Sequence, residues 1–316
     1  MEIRKANARD LPEIIRVLKL SLGEADLPLS EAIWKYKHID NPFGKSLVLI
    51  GEDHGKIVGV RAFMKWEWQK GDRVFSAFRA VDTATHPDFQ GKGIFKKLTL
   101  EAVKIGKENL SNFVFNTPNV QSRPGYLKMG WEQVGKVQVA LQPAYKSFWK
   151  LRDPKKEYQV VNMASSIEKI SLCNSWNRQL GLKQKFFTPK SAEFLSWRYE
   201  NNPLQQYEVF STPNLYIAAY IKKRKNIKEL RIAECIFNDD LSSLKEVRRL
   251  LKGWSSKFGA QVITWSPKLL NLDSLSYRGA LGPILTIREL HLNEKELQLL
   301  LGDDNWNYSI GDLELF

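Results

Sequence analysis

Val81 to Phe95 read VDTATHPDFQGKGIF, and the fold turns on how that stretch changes character. Its first part has the β-branched content of a strand, and Pro87 ends it. Gly91 and Gly93 then stand one residue apart. From there Ile94, Leu98, Ala102 and Ile105 fall on one face of a helix predicted over Gly93 to Lys107. A strand, a glycine-bearing turn and an amphipathic helix in immediate succession suit a diphosphate. The first N–H groups of a helix have no partner within it, and the helix dipole favours negative charge there. Glycines at these positions let backbone approach phosphate without a Cβ in the way. The spacing is neither Gly-x-x-x-x-Gly-Lys-Ser/Thr nor Gly-x-Gly-x-x-Gly. Taken alone, Gly-Lys-Gly is also compatible with an ordinary turn before a helix.

Upstream, Glu2 to Arg4 can form a short strand. Asp10 reads as an N-cap with Glu13 three residues on, followed by Leu11, Ile14, Ile15, Leu18 and Leu22 at helical spacing. A second helix is expected from Ser30 to His38, closed by Asn41-Pro42. Leu47 to Ile50, Ile57 to Trp68 and Val74 to Thr85 read as strands, with a hairpin turn at Lys70-Gly71-Asp72. Downstream come a strand at Phe113 to Phe115, a helix or two short turns over Pro118 to Lys128, and one strand from Trp131 to Leu141.

The order β-α-α-β-β-β-α-β-α-β is that of an α+β, mixed α/β sheet. With two motifs it resembles the GNAT superfamily, the GCN5-related N-acetyltransferases, over roughly residues 1 to 142. The first motif is Gln90-Gly91-Lys92-Gly93-Ile94-Phe95, similar to the family's Gln/Arg-x-x-Gly-x-Gly/Ala with Phe95 in place of the final small residue. The second is Asn119 to Trp131, NVQSRPGYLKMGW, similar to a helix opened by Asn and closed by Tyr-x-Lys-x-Gly-Phe. The resemblance implies acetyl-CoA as acyl donor and no metal. Gln90, Gly91, Lys92, Gly93, Ile94 and Phe95 would then hold its diphosphate. The splayed strand end at Asp82, Thr83, Ala84 and Thr85 would pair with the pantetheine arm and polarise the acyl carbonyl, and Asn119 belongs to the same site. Tyr126 would give the departing thiolate its proton. Read for itself, Tyr126 is equally a helix-end aromatic packing on the sheet. Gly130 reads as the glycine ending that helix. Lys92, Lys96 and Lys97 can reach phosphate, although an exposed helix face suits at least two of them. Asp82, on the strand itself, is the candidate general base. The chain ends Gly311-Asp312-Leu313-Glu314-Leu315-Phe316, and some multi-domain, aminoglycoside-acetylating members use a chain-terminal carboxylate as base.

A second half starts after Asp153-Pro154-Lys155-Lys156, which looks like a linker. Trp34-Lys35-Tyr36 before Asn41-Pro42 recurs as Trp197-Arg198-Tyr199 before Asn202-Pro203. Strands at Tyr207 to Phe210, Tyr216 to Ile221 and Glu229 to Phe237 follow, then a helix from Leu241 to Lys257 and a strand from Ala260 to Trp265. Ser274 to Gly279 stands where Ser122 to Gly130 does. This order predicts two GNAT-like domains in tandem, residues 1–150 with the acetyl-CoA site and residues 151–316 degenerate. Asn238-Asp239-Asp240 replaces the glycines of the phosphate loop, and two acids there would repel a diphosphate. The second domain then serves as structural or acceptor-site lobe. An unrelated α+β domain is the alternative. Tandem members of this shape place the acceptor between lobes. Trp66, Trp68, Trp197 and Trp265 can line such a cleft, although tryptophan on a strand usually belongs to a core.

The bulk properties agree. At 316 residues there is room for two domains, and 43% hydrophobic with 26% charged residues is a globular balance. No apolar run is long enough for a bilayer, and MEIRKANARD lacks the core of a secretion signal. Two distant cysteines, Cys173 and Cys235, suggest a reducing, cytoplasmic setting. The four histidines show no metal-ligand spacing. The formal charge of +13 is dispersed, without a nucleic-acid-binding motif. The expectation is an N-acetyltransferase acting on a small-molecule amine by direct attack, with no nucleic acid or membrane partner and a homodimer left open. The alternatives are a non-catalytic acyl-CoA-binding module and an aminoacyl-transferring tandem relative, the latter disfavoured by the intact loop in the first lobe.

Overall fold

Each of the two sheets in this protein takes a strand from the other half of the chain. The computed structural model describes residues 1–22, 30–144, 157–238, 241–272 and 276–313. In chain order the strands of the first half are β1 (Glu2–Lys5), β2 (Leu47–Asp53), β3 (Lys56–Lys70), β4 (Arg73–Thr85), β5 (Phe113–Asn116), β6 (Glu132–Lys136) and β7 (Val139–Pro143). Those of the second are β8 (Val160–Asn162), β9 (Glu208–Thr212), β10 (Leu215–Arg224), β11 (Ile227–Phe237), β12 (Val262–Trp265), β13 (Tyr277–Gly279) and β14 (Ile284–Glu289). The helices are α1 (Leu11–Leu22), α2 (Glu31–His38), α3 (Ile94–Glu108), α4 (Arg123–Lys128), α5 (Ser166–Leu182), α6 (Ala192–Leu195), α7 (Leu241–Phe258), α8 (Glu294–Leu301) and α9 (Ile310–Leu313).

The first sheet runs β1-β2-β3-β4-β5-β14-β6 and the second β13-β7-β12-β11-β10-β9-β8. Both are mixed: β4 pairs with β5 and β11 with β12 in parallel, within otherwise largely antiparallel ladders. The α+β class therefore holds, with two similar lobes. The stretch Trp131 to Leu141, expected as one strand, is two. β6 pairs with β14 in the first sheet and β7 with β12 and β13 in the second. Alternating apolar residues fit a strand on either side of Val137-Gln138, and the local pattern carries no trace of the change of sheet. Neither sheet is complete within residues 1–150 or within 151–316, since β14 lies between β5 and β6 and β7 between β12 and β13.

Other local expectations shift for identifiable reasons. Asp10 does not cap α1. Asn7 opens a 3-10 turn, Ala8–Asp10, in a capping box whose far carboxylate is Asp10. Ser30 caps α2 by accepting from the Ile33 N–H at 3.3 Å. Tyr277–Gly279, expected to match the helix around Tyr126, is the edge strand β13, while residues 273–275 lie outside the described residues. The Lys155-Lys156 linker and Asp239-Asp240 also lie outside them.

The repeated tryptophan motif acquires a structural meaning. Tyr36 stacks on Trp197 with ring centroids 5.1 Å apart. The Tyr36 hydroxyl donates to the Trp197 carbonyl at 2.8 Å, and the Trp197 indole donates to the Tyr36 carbonyl at 2.9 Å. The two copies thus bond each other across the lobes. Trp66, Trp68 and Trp265 are buried core residues with those of both halves, and one continuous apolar cluster runs from α1 to Leu313. A smaller cluster fills the space between the first sheet and α3. Cys173 and Cys235 are buried free thiols. No helix among the described residues is long and apolar enough to cross a membrane, and they contain no His/Cys/Asp/Glu group suited to a metal ion.

Candidate active site

β4 delivers the chain into the glycine-bearing loop expected to hold phosphate. Pro87–Phe89 form a 3-10 turn, and Gly93 then opens α3 with φ +72° and no side-chain cap. Gly91 has φ +75°, so both glycines occupy the left-handed region that penalises a Cβ. A Cβ built at either would meet nothing within 4 Å. Backbone conformation, and not crowding by protein, is what demands glycine here. The first helical bond is Lys97 N–H to Gly93 O, at 3.0 Å. The N–H groups of Ile94, Phe95 and Lys96 precede it without intrahelical partners. Ile94 is buried and anchors the helix, while Gln90, Lys92, Lys96 and Lys97 are exposed around its start.

The strand before the loop carries the second feature. β4 pairs with β5 only from Ala77 to Arg79, and from Ala80 onward the two strands diverge. On its other edge β4 stays bonded to β3, but Asp82 is an extra residue: Val81 opposes Ala62, Thr83 opposes Arg61, and Asp82 has φ +33°. A β-bulge of this kind re-aims side chains, and a strained non-glycine residue on it often marks a functional site. Ala84 and Thr85 continue the ladder toward the loop.

The bulge turns Asp82 toward α2. Its carboxylate pairs with the Lys37 ammonium and takes a 2.8 Å hydrogen bond from His38 Nε2. Burial favours the protonated carboxyl, but the charge of Lys37 and the His38 bond outweigh it, and Asp82 is held below the usual carboxylate range. Burial lowers the His38 imidazole against the pull of Asp82. A neutral ring donating from Nε2 accepts at Nδ1, where the Ser46 hydroxyl lies 2.8 Å away. An ion-paired carboxylate held low is a weak proton acceptor, so Asp82 does not stand as the free base expected from its place on the strand.

Lys37, Asp82, Thr83, Asn116, Asn119 and Tyr126 together line a cavity of about 410 Å³. Tyr126 is buried, yet its hydroxyl takes no hydrogen bond from the described residues. Its ring meets Phe95 edge-on at 5.5 Å and Trp131 at 5.1 Å. Phe95, the departure from the family pattern, therefore packs against Tyr126 and ties the phosphate loop to the cavity. Asn119 does not open a helix. It closes a turn by accepting from the Ser122 N–H at 2.8 Å, and α4 begins only at Arg123.

Four contributors were not legible in the sequence. Arg61 is fully buried with no hydrogen-bond partner on any guanidinium nitrogen, and it sits 4.8, 5.6 and 5.3 Å from the rings of Phe63, Phe95 and Tyr126. Strand alternation around Val60 and Ala62 could have placed it on the α3 side. Asn116 receives a 2.7 Å bond from the Thr286 hydroxyl on the exchanged strand β14. Lys37 and His38 stand at the end of α2, where the sequence marked only the close of a helix. The chain end Glu314 to Phe316 lies outside the described residues. Up to Leu313 the backbone is held by Arg79 of β4, which donates to the Asp312 and Leu313 carbonyls at 3.1 and 2.5 Å.

Residues 2–134 match the family model described as an acetyltransferase (GNAT) domain. No curated protein matches the sequence. Solved structures that share the fold include the following three. A conserved protein of Enterococcus faecalis V583, described as a "probable N-acyltransferase", has a TM-score of 0.68 at 10% identity, covering 92% of this chain and 73% of its own. A GCN5-related N-acetyltransferase from Anabaena variabilis gives 0.65 at 15% identity, covering 92% and 72%. One from Kribbella flavida gives 0.64 at 12% identity, covering 92% and 71%. At these identities the likeness concerns the fold.

Proposed function

We propose that the first lobe, whose residues 2–134 match the acetyltransferase (GNAT) domain model, transfers the acetyl group of acetyl-CoA to the amine of a small acceptor by direct attack. One observation carries the reading. The end of β4 that has parted from β5 and the Tyr126 side chain line one cavity, and Phe95, in the first turn of the uncapped α3, packs on the Tyr126 ring.

In this reading the diphosphate takes the N–H groups of Gly91 to Lys96, with Lys92 adding charge. The pantetheine arm lies along the unpaired edge of Ala80 to Thr85. A backbone N–H at the bulge polarises the thioester carbonyl, whose oxygen gains charge in the transition state. The acceptor nitrogen attacks the carbonyl carbon, the carbon–sulfur bond breaks, and Tyr126 gives its hydroxyl proton to the leaving sulfur. An acceptor that arrives as an ammonium loses one proton to water before it attacks and a second afterwards; one proton restores Tyr126, and one is released net. Asp82, already paired with Lys37, fixes that ammonium and the His38 ring beside the acceptor's place. Thr286, through Asn116, steadies the wall opposite β4.

The test is Tyr126→Phe, assayed by release of free thiol. The expected result is a kcat lowered by about 100-fold with acetyl-CoA affinity within twofold of the parent. Unchanged turnover would end the general-acid role. Failure of saturating acetyl-CoA to raise the melting temperature would end the donor assignment. Stabilisation without turnover on any amine would point instead to a binding module.

A further inference from the structure

The buried ring of His38 stands between two cavities. Its Nε2 holds Asp82, which lines the space shared with Tyr126. Its Nδ1 lies 2.8 Å from the Ser46 hydroxyl, and His38 and Ser46 both line a different space of about 650 Å³. Acetyl transfer as set out above makes no use of Ser46. The loop after α2 is nonetheless built to hold it there. Asn41 accepts from the Phe43 N–H at 3.0 Å and donates to the Lys65 carbonyl at 2.8 Å. The Ser46 N–H donates to the His38 carbonyl at 3.0 Å, so the same two residues are bonded through backbone and side chain. Trp34 packs on the imidazole with ring centroids 4.1 Å apart.

Carboxylate, imidazole and hydroxyl in line, each 2.8 Å from the next, are the spacing of a nucleophile, its base and the group that orients the base. The protonation states fit that order. Lys37 and His38 keep Asp82 ionised, and burial keeps the imidazole neutral. With its Nε2 proton given to Asp82, the ring turns the Nδ1 lone pair to the Ser46 hydroxyl proton. His38 is the last residue of α2, where the helix dipole favours a ring that gains charge. Lys37 on the same carboxylate opposes that charge, so a low rate is expected. The 650 Å³ space has an apolar wall of Leu11, Ile14, Trp34, Phe43 and Val48. Lys5, Lys45 and Lys65 line it too, with no acid among its described lining residues, and they favour an oxyanion forming there.

We propose that Ser46, His38 and Asp82 form a nucleophilic triad that hydrolyses carboxylic esters with an apolar acyl group. The Ser46 oxygen attacks the ester carbonyl carbon while its proton passes to His38 Nδ1. The carbon–oxygen bond to the alcohol breaks, and His38 returns that proton to the leaving oxygen. Water then attacks the acyl-serine, giving one proton to His38. The bond to Ser46 breaks and the proton returns to its hydroxyl. One ester and one water become one carboxylic acid and one alcohol. Asp82 holds the ring and its positive charge throughout, without taking a proton.

The experiment uses the full chain without acetyl-CoA and an alkyl fluorophosphonate, whose phosphorus is attacked by activated serine hydroxyls. Labelling of Ser46, read by peptide mass spectrometry, is expected, at a rate about 100-fold lower in His38→Gln. Hydrolysis of p-nitrophenyl butyrate should exceed that of the acetate about tenfold in kcat/KM. It should fall about 100-fold in Ser46→Ala, which should keep the parent's melting temperature and its shift with acetyl-CoA. No label on Ser46, or equal labelling of parent and His38→Gln, overturns the proposal, as does ester hydrolysis undiminished in Ser46→Ala. The label is read on the parent chain, so a variant that fails to fold leaves that decision intact. Neither result depends on the donor assignment.

Discussion

Gly93→Asp separates the phosphate loop from the fold. Gly93 has φ +72° and nothing within 4 Å of a Cβ placed on it, so the change meets no clash. Its stability cost is that of the left-handed backbone, about 1 kcal/mol, or a melting-temperature drop of about 2–4 °C. For the ligand the cost is much larger. A carboxylate about 5 Å from one phosphate charge, at an effective dielectric near 20, opposes binding by about 3 kcal/mol, roughly 150-fold in Kd. Gly55 offers a matched control. It has φ +76°, also with nothing within 4 Å, and sits in the turn between β2 and β3, outside the loop itself. Gly55→Asp should lose similar stability and keep its affinity. Calorimetric titration of acetyl-CoA, with melting curves of both variants, makes the comparison. If Gly93→Asp binds within fivefold of the parent, or if Gly55→Asp loses as much affinity, the loop assignment is refuted.

Two further outcomes follow from buried charge. His38 is depressed in the folded protein, so the unfolded chain binds a proton that the folded one refuses; stability is full above about pH 6.5 and falls as pH drops toward the lowered value, by at most about 1.4 kcal/mol per pH unit. His38→Gln should flatten the urea midpoint between about pH 5 and 6.5, and a parent protein already flat there would contradict the burial argument. Lys190 lies between Glu234 at 2.7 Å and Asp312 at 2.6 Å with all three side chains buried. Lys190→Met leaves two facing carboxylates without their cation and should destabilise by about 3–5 kcal/mol in denaturant titration, whereas a loss under about 1 kcal/mol would show the triad to be solvated.

What the sequence made legible was what repeats locally. The strand, the glycines and the helix of the phosphate loop each follow from periodicity or backbone conformation within a few residues. Gly91 and Gly93 both take the positive φ that makes glycine the natural choice there. The Asp82 bulge was hidden because one extra residue among β-branched neighbours does not disturb a strand pattern. Arg61 was hidden because a charged residue between valine and alanine reads as solvent-facing until the second face of the sheet is known to be covered. Asn116 needed Thr286, which lies 170 positions away. The Tyr36 and Trp197 motifs were visible as a repeat, but their mutual bonding is a property of the assembled lobes.

The exchanged strands also set an order on biosynthesis. When the ribosome has made β6, the first sheet has a gap between it and β5, to be filled by a strand roughly 150 residues further on. At ordinary translation speeds the nascent chain waits roughly 8–30 seconds with that edge unpaired. Exposed strand edges recruit whatever can pair with them. The first lobe is thus complete only after the second lobe has been made. A chain truncated anywhere before Ile284 would carry an intact phosphate loop on an unfinished sheet. For this protein the second half is a condition for the first to exist as a folded object, whatever it contributes to substrate choice.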